Sequence, residues 1–153
     1  MKRNRLALII AGGAFLAWMS YLGAKAWQYR HPPVIVSRAQ LLGAEWDVVA
    51  DIAADPADPK KPALNVTVQE VLHSGDENST PKTGQTITVQ NLATSIGYNG
   101  AGGYVLPLTR RNGLYYLAIP PVDPAAPRSF EPRMYPVTDE VRRQFADIRA
   151  GKD

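Results

Sequence analysis

The sequence predicts a mainly β domain behind an N-terminal transmembrane helix: a small barrel or sandwich of about five strands with one C-terminal helix. Three observations support this fold class. The segment Leu6–Ala24 carries no charged residue, short runs further on alternate apolar and polar side chains, and proline and glycine separate those runs. We therefore expect residues 34–153 to form one domain, since about 120 residues suffice for one core.

The apolar segment Leu6–Ala24 is long enough to cross a bilayer as a helix. Its nineteen residues rise about 28 Å in a helix, close to the usual hydrocarbon thickness. Residues 1–5 form a basic flank, which favours a cytoplasmic N-terminus. We expect a single-pass protein of the inner or cytoplasmic membrane, with a juxtamembrane linker at residues 25–33 and an extracytoplasmic C-terminal domain.

Basic side chains lie at both ends of this segment and aromatic side chains at its C-terminal end, where the headgroup region favours them. We assign to the membrane interface Lys2, Arg3, Arg5, Trp18, Tyr21, Lys25, Trp27 and Tyr29. An alternative is a cleaved signal peptide, because Ala24-Lys25-Ala26 fits a small-x-small cleavage site. The apolar run exceeds the usual signal-peptide core of about 7–15 residues, which favours retention. Both interpretations export the domain.

The positive charge of the chain belongs to its N-terminal part. Five Lys and Arg and no Asp or Glu precede residue 31, whereas 12 basic and 14 acidic side chains follow, a formal charge of −2. This balance excludes a general attraction of the domain for nucleic acid. The chain has no cysteine, which excludes disulfides, thiolate metal sites and a cysteine nucleophile.

Alternating apolar and polar side chains predict the strands. The predicted strands are Trp46–Ile52, Leu64–Leu72, Gln85–Leu92, Val105–Arg111 and Leu114–Ile119. Val34–Val36 is a further candidate strand, and Arg38–Ala44 is a candidate turn of helix. The glycine-rich segment 94–103 is predicted to be a mobile loop.

The dipeptide Asn112-Gly113 predicts a hairpin, because both residues suit the positive φ angles of a type I′ turn. This turn pairs Leu108 with Leu117 and Leu106 with Ile119. Pro107 lacks a backbone donor and implies an edge strand or a bulge.

The C-terminal part is predicted to hold an extended segment and a short helix. Six prolines at 120–136 favour an extended wrap over the surface. Thr138 is the expected N-cap of a helix that begins with two acidic residues. Val141, Phe145 and Ile148 would then form one apolar stripe.

Parts of the predicted sheet resemble OB-fold domains of the netrin and metalloproteinase-inhibitor kind. The resemblance rests on Leu64–Leu72, Gln85–Leu92, the step Gly103-Tyr104-Val105-Leu106 and the strand Tyr115-Tyr116-Leu117, and it implies an OB-like strand order. The paired cysteines of the secreted members are absent, so inhibitor function is not implied.

Three other stretches are similar to uncharacterised bacterial single-pass membrane proteins. They are Val34–Gln40, Trp46–Ala50 and Arg133–Thr138. This similarity implies that the domain is exported from the cytoplasm, and it implies no particular activity.

Two groups of residues suggest chemistry. His73-Ser74-Gly75-Asp76 places an imidazole, a hydroxyl and a carboxylate close together, as a hydrolase would need, although turn caps also explain them. Asp47 and Asp51 share a strand face and suggest a weak cation site, although solvent-facing positions on a half-exposed strand explain them as well. We expect no metal site, no cofactor and no enzyme activity.

Five side chains are candidates for binding a ligand or partner. Tyr98 lies in the glycine-rich loop, and Arg110 and Arg111 lie close to Tyr115 and Tyr116 at the hairpin end. Aromatic and basic side chains of OB-folds bind ligands in this way, whereas basic residues at a hairpin tip also serve to prevent aggregation.

The leading functional hypothesis is a membrane-anchored, non-catalytic binding or scaffolding module. Residues 6–24 would contact the lipid bilayer, and the domain would bind a protein partner rather than nucleic acid. The alternative is a structural accessory subunit of a membrane protein complex. A hydrolase that uses His73 or the pair Asp47 and Asp51 is the third hypothesis.

Overall fold

A computed structural model describes residues 2–30, 34–75, 79–120 and 131–152, with the backbone alone for 2–11 and 27–30. The chain divides into two compact units, Met1–Val34 and Ile35–Asp153. The first unit contains helix α1 (Lys2–Arg30). Within the described part of the chain, no helix is both long and apolar enough to cross a membrane. The side chains of residues 6–11, which belong to the predicted span, lie outside that part, so the transmembrane helix stays a prediction.

The second unit is mainly β, as predicted, and ends in one helix. Its elements in chain order are α2 (Arg38–Leu42), β1 (Trp46–Ala54), β2 (Pro62–Ser74), β3 (Thr86–Thr88), a 3₁₀ turn (Leu92–Thr94), β4 (Gly102–Arg111), β5 (Leu114–Leu117), β6 (Tyr135–Pro136) and α3 (Asp139–Arg149). The strands form one antiparallel sheet in the order β3-β2-β1-β4-β5, and β6 also pairs with β4.

The sheet is open, whereas the sequence predicts a barrel or sandwich. Strand β3 is only three residues long, so its ladder with β2 ends early. Beyond it, one isolated parallel bridge joins Val89 to Tyr115 of β5. Within the described residues no continuous ladder therefore closes the sheet, and the predicted closed barrel is not formed.

The core lies against one face of the sheet. Alternate residues of β1, beginning with Trp46 and Val48, pack with Val68 of β2 and Leu106 of β4 in a fully buried cluster. On the opposite face, Asp47 and Val49 are also buried, because α3 packs there and Arg149 reaches Asp47, whereas Asp51 and Ala53 are exposed. The half-exposed strand expected from the sequence is therefore wrong for Asp47, which is buried, and confirmed for Asp51, which is exposed.

The structure confirms most of what the sequence predicts for the hairpin. Asn112 and Gly113 have φ angles of 52° and 81°, and Leu108 pairs with Leu117. The expected pairing of Leu106 with Ile119 is wrong, because the strand ends at Leu117 and Ile119 is exposed.

Pro107 belongs to β4, an interior strand between β1 and β5, so the expected edge strand is also wrong. Its carbonyl accepts a hydrogen bond from Ala118 N at 2.8 Å, just beyond the end of the β4–β5 ladder. The missing N–H points toward this end of the ladder, where the absence of a donor costs little.

The C-terminal helix confirms its prediction. The hydroxyl of Thr138 accepts a hydrogen bond from Val141 N at 3.2 Å, and Val141 and Phe145 are buried. Ile148 is only half-buried. The described part of the candidate strand Val34–Val36 has no strand structure, and it leads into α2. Most of the predicted extended segment, residues 121–130, lies outside the described residues.

Candidate functional site

The hairpin end carries four of the predicted binding residues. Arg110 and Tyr115 are direct cross-strand partners, and the guanidinium carbon of Arg110 lies 5.7 Å from the ring centroid of Tyr115. This distance fits a cation–π contact. The ring of Tyr115 also packs edge-on against Trp46, with a centroid distance of 6.0 Å. The core residue Trp46 thus fixes the ring on which Arg110 stacks.

Glu45 connects the hairpin end to the start of β1. Its Oε1 accepts hydrogen bonds from Thr109 Oγ1 at 2.7 Å and from Arg110 N at 3.4 Å. Tyr116 pairs with Thr109 and lies on the opposite face of β5 from Tyr115, because successive side chains of a strand alternate. The structure therefore brings Arg110 and Tyr115 together and separates Tyr116 from them.

Tyr98 lies in a second place, near the β1–β2 loop. Its ring centroid is 5.8 Å from that of Tyr104, and it lines a shallow depression of about 340 Å³ with Lys60, Asn99 and Gly100. Burial raises the pKa of its hydroxyl, and the nearby Tyr104 adds to the effect. The hydroxyl is buried without a partner among the described residues.

The loop that carries Tyr98 is tied to the sheet. The hydroxyl of Tyr104 accepts from Asn99 N at 3.0 Å and donates to Gly100 O at 2.7 Å. Two backbone groups of this glycine-rich loop are therefore hydrogen-bonded to β4, and its mobility stays a prediction. Tyr104 and Arg110 are six residues apart on β4, which is about 20 Å along a strand. Tyr98 and the hairpin end are thus separate places.

Asp47 forms the third place, with the most unusual electrostatics. The residue is fully buried, and its Oδ2 accepts a hydrogen bond from Arg149 Nε at 2.7 Å. Arg149 Nη2 also donates to Ala44 O at 3.2 Å. Burial raises the pKa of the Asp47 carboxyl, although Arg149 and the charge of His73 act in the opposite direction. Its Oδ1 has no partner among the described residues.

His73 is the cross-strand partner of Asp47, and an irregularity in the ladder lies directly beside this pair. Asp47 pairs with His73 but Val48 pairs with Val71, so Leu72 is the extra residue of a β-bulge. As a result, Leu72 and His73 both line a cavity beside α3. The sequence shows His73 and Asp47 only as separate candidates, because a bulge leaves no mark on the apolar pattern.

Asp51 does not join this group. It is exposed and accepts a hydrogen bond from Gln69 Nε2 at 2.7 Å. It lies four residues from Asp47 in the same strand, a distance of about 13 Å, so the two carboxylates do not share a cation. In the described part of the chain, no group of three or more His, Cys, Asp and Glu could hold a metal ion.

The predicted interface residues fall in α1. Trp18 and Tyr21 have ring centroids 6.0 Å apart, and Lys25 Nζ lies 6.0 Å from the Tyr21 ring centroid. These side chains are exposed. The side chains of the other predicted interface residues lie outside the described residues: Lys2, Arg3, Arg5, Trp27 and Tyr29.

The described residues thus carry three separate candidate places: the hairpin end, the Tyr98 depression and the Asp47 cavity. Comparison with known proteins found no match among family models, curated proteins or solved structures.

Proposed function

We propose that this chain is a membrane-anchored, extracytoplasmic, non-catalytic binding or scaffolding module whose protein partner docks on the hairpin end. The observation that supports this most is the exposed run Arg110–Leu114 at the end of β4 and β5. It contains two arginines and an exposed leucine, and Glu45 and Tyr115 hold its base. An ordered basic and apolar tip can bind a partner at a small entropic cost.

The anchor of this proposal is the segment Leu6–Ala24 with its basic flank. Residues 25–30 continue α1 and rise only about 9 Å, and residues 31–34 add at most about 14 Å. A domain held this way stays close to the extracytoplasmic face of the inner or cytoplasmic membrane, so its partner would be another protein at that face.

The strand pairing supports an OB-like arrangement as the finer fold of the module. Strand β1 pairs with β2 and β4, β2 pairs with β3, and β4 pairs with β5. The isolated bridge between Val89, which directly follows β3, and Tyr115 of β5 runs parallel. OB-folds bind ligands partly through the loop between their fourth and fifth strands. That loop is Asn112-Gly113 in this chain.

Photo-crosslinking of the full-length protein in native membranes tests the proposal. A photoreactive side chain at Leu114 should crosslink to one dominant partner, which mass spectrometry identifies. The change Arg110→Ala with Arg111→Ala should reduce that product at least fivefold. The matched control is Lys60→Ala with Lys61→Ala, an exposed basic pair in the β1–β2 loop, which should leave it unchanged.

Two results would contradict the proposal. One is a crosslink of equal yield in both double variants, and the other is no crosslink from Leu114 at all. A partner that copurifies at fixed stoichiometry through contacts away from the hairpin would favour the accessory subunit instead. The hydrolase hypothesis has the least support, because Arg149 already occupies Oδ2 of Asp47 and Asp51 is exposed at a distance.

A further inference from the structure

We propose that the cavity between α3 and the β1–β2 ladder binds a small uncharged molecule with one hydrogen-bond donor on an apolar body no larger than one aromatic ring. This proposal is independent of the hairpin proposal, since the cavity uses none of the residues of the hairpin end. The cavity has a volume of about 130 Å³.

The walls of the cavity combine apolar and polar side chains. Leu72, Phe145 and Ala146 supply apolar surface, and Asp47 and His73 supply polar groups from the sheet. The bulge at Leu72 is what turns two successive residues of β2 toward this space. Bulges re-aim side chains next to functional sites in many sheets.

The unpartnered oxygen of Asp47 requires a donor. Its Oδ2 is bound to Arg149 Nε, whereas Oδ1 is buried and has no hydrogen-bond partner in the described residues. Buried acceptors are nearly always paired, with protein or with ordered water. Asp47 lines the cavity, so a ligand there is placed to supply the missing donor.

The charges around the cavity favour an uncharged ligand. Arg149 is paired with Asp47, and Arg142 is paired with Glu70 at 2.7 Å. A cationic ligand would meet two guanidinium groups, and an anionic ligand would meet the Asp47 carboxylate. His73 is the further titratable group that lines the cavity. An uncharged donor satisfies Oδ1 without adding an unpaired charge to a buried site.

The volume sets the size of the ligand. A dry cavity of about 150 Å³ admits benzene, so a space of about 130 Å³ fits at most one ring. Phenol is the simplest probe with a ring and one donor. Toluene has nearly the same shape without a donor, and benzoate and benzylammonium carry a charge on the same ring.

Nuclear Overhauser contacts to labelled alanine methyl groups of the full chain in amphipol provide the test. Phenol should give a saturable contact with the methyl group of Ala146, and toluene should bind at least tenfold more weakly. Benzoate and benzylammonium should give no contact. Ala146→Leu fills the cavity, so phenol binding to this variant, followed by its effect on the Phe145 ring, should fall at least tenfold. The control Ala150→Leu, outside the cavity at the C-cap of the same helix, should retain it.

Several outcomes would overturn the proposal. Equal binding of phenol and toluene would show that Asp47 Oδ1 contributes nothing. Preferred binding of either charged probe would refute the charge argument. No contact at any probe concentration, or unchanged binding in Ala146→Leu, would refute the cavity itself. Since Ala146 is exposed on one side, its variant is expected to fold, and circular dichroism checks this.

Discussion

Both faces of β1 are buried over Trp46–Ala50, but different interactions bury them. On one face, Trp46, Val48 and Ala50 belong to an apolar cluster formed largely by neighbouring strands. On the other face, Asp47 lies beneath α3 and binds Arg149, 102 positions further along the chain. The first face is apolar, whereas the second contains a buried ion pair beside the apolar Val49.

This difference determines how each face should respond to substitution. Loss of apolar volume costs stability in proportion to the cavity that remains. A buried ion pair behaves differently, because the loss of one partner leaves an uncompensated charge, whereas the loss of both partners often costs little. The predictions below test this contrast, from the largest expected effect to the smallest.

Trp46→Ala should lower the free energy of unfolding by about 3–5 kcal/mol, because it removes the largest fully buried side chain of the apolar face. Denaturant unfolding of the full chain in amphipol, followed by circular dichroism, measures the loss. The control Ile35→Ala removes an apolar side chain that is 70% exposed and should change stability by less than about 0.5 kcal/mol. Similar losses in both variants would contradict the assignment of the core.

Arg149→Leu should lower the free energy of unfolding by about 3 kcal/mol, because the Asp47 carboxylate then stays buried without its partner. The value is at the lower end of the usual range, since the Arg149 side chain is 19% exposed. The matched control is Arg142→Leu, which breaks an exposed pair between the same helix and Glu70 of β2 and should cost about 1 kcal/mol or less.

The double variant Asp47→Leu with Arg149→Leu sharpens this test. It should recover most of the stability that Arg149→Leu loses, because no buried charge remains. If the loss in the double variant equals the sum of the losses in Asp47→Leu and Arg149→Leu, the two residues do not interact. The contrast between the faces would then be wrong.

Thr138→Ala should lower the free energy of unfolding by about 1 kcal/mol, because Val141 N loses its capping acceptor. Thr138→Ser keeps a hydroxyl at the same place and should retain most of the stability. The same unfolding measurement distinguishes the two variants. If Thr138→Ser loses as much stability as Thr138→Ala, the capping hydrogen bond is not the cause of the loss.

The pH dependence of stability should show the smallest effect. The pKa of Asp47 is raised above 3.8 by burial, so the folded state binds this proton more tightly than the unfolded state. The contribution of Asp47 to stability therefore rises as the pH falls through its folded pKa, and it stays constant below the unfolded pKa. Arg149, Arg142 and His73 face the same space.

Asp47→Asn removes this titration. The difference in the free energy of unfolding, natural protein minus Asp47→Asn, should increase as the pH is lowered from 7 to 4. A difference that falls over this range would mean that Arg149 outweighs burial and lowers the pKa of Asp47.

The apolar face and the hairpin could be predicted from the sequence because their signals are local. Alternation in Trp46–Ile52 gives the strand, and Asn112-Gly113 gives the turn and the pairing of Leu108 with Leu117. Thr138 and the apolar stripe after it likewise give the terminal helix. Each of these features depends on residues that are close in the chain.

The second face could not be predicted because its determinants are distant in the chain. Asp47 alternates like a solvent-facing residue, and only the position of Arg149 on a packed helix makes it buried. The bulge at Leu72 inserts one residue without changing the apolar pattern of β2. The sequence predicts that Pro107 lies in an edge strand. It lies in an interior strand instead, at the point where the ladder with β5 ends.

Labelling of single cysteines in intact cells tests the central proposal, a membrane-anchored module outside the cytoplasm, most directly. The chain has no natural cysteine, so Arg111→Cys and Asn4→Cys each report one position. A membrane-impermeant maleimide should label Arg111→Cys in intact cells and Asn4→Cys only after permeabilisation, with both proteins resistant to carbonate extraction. Labelling of Asn4→Cys alone in intact cells, or release of the protein by carbonate, would contradict the proposal.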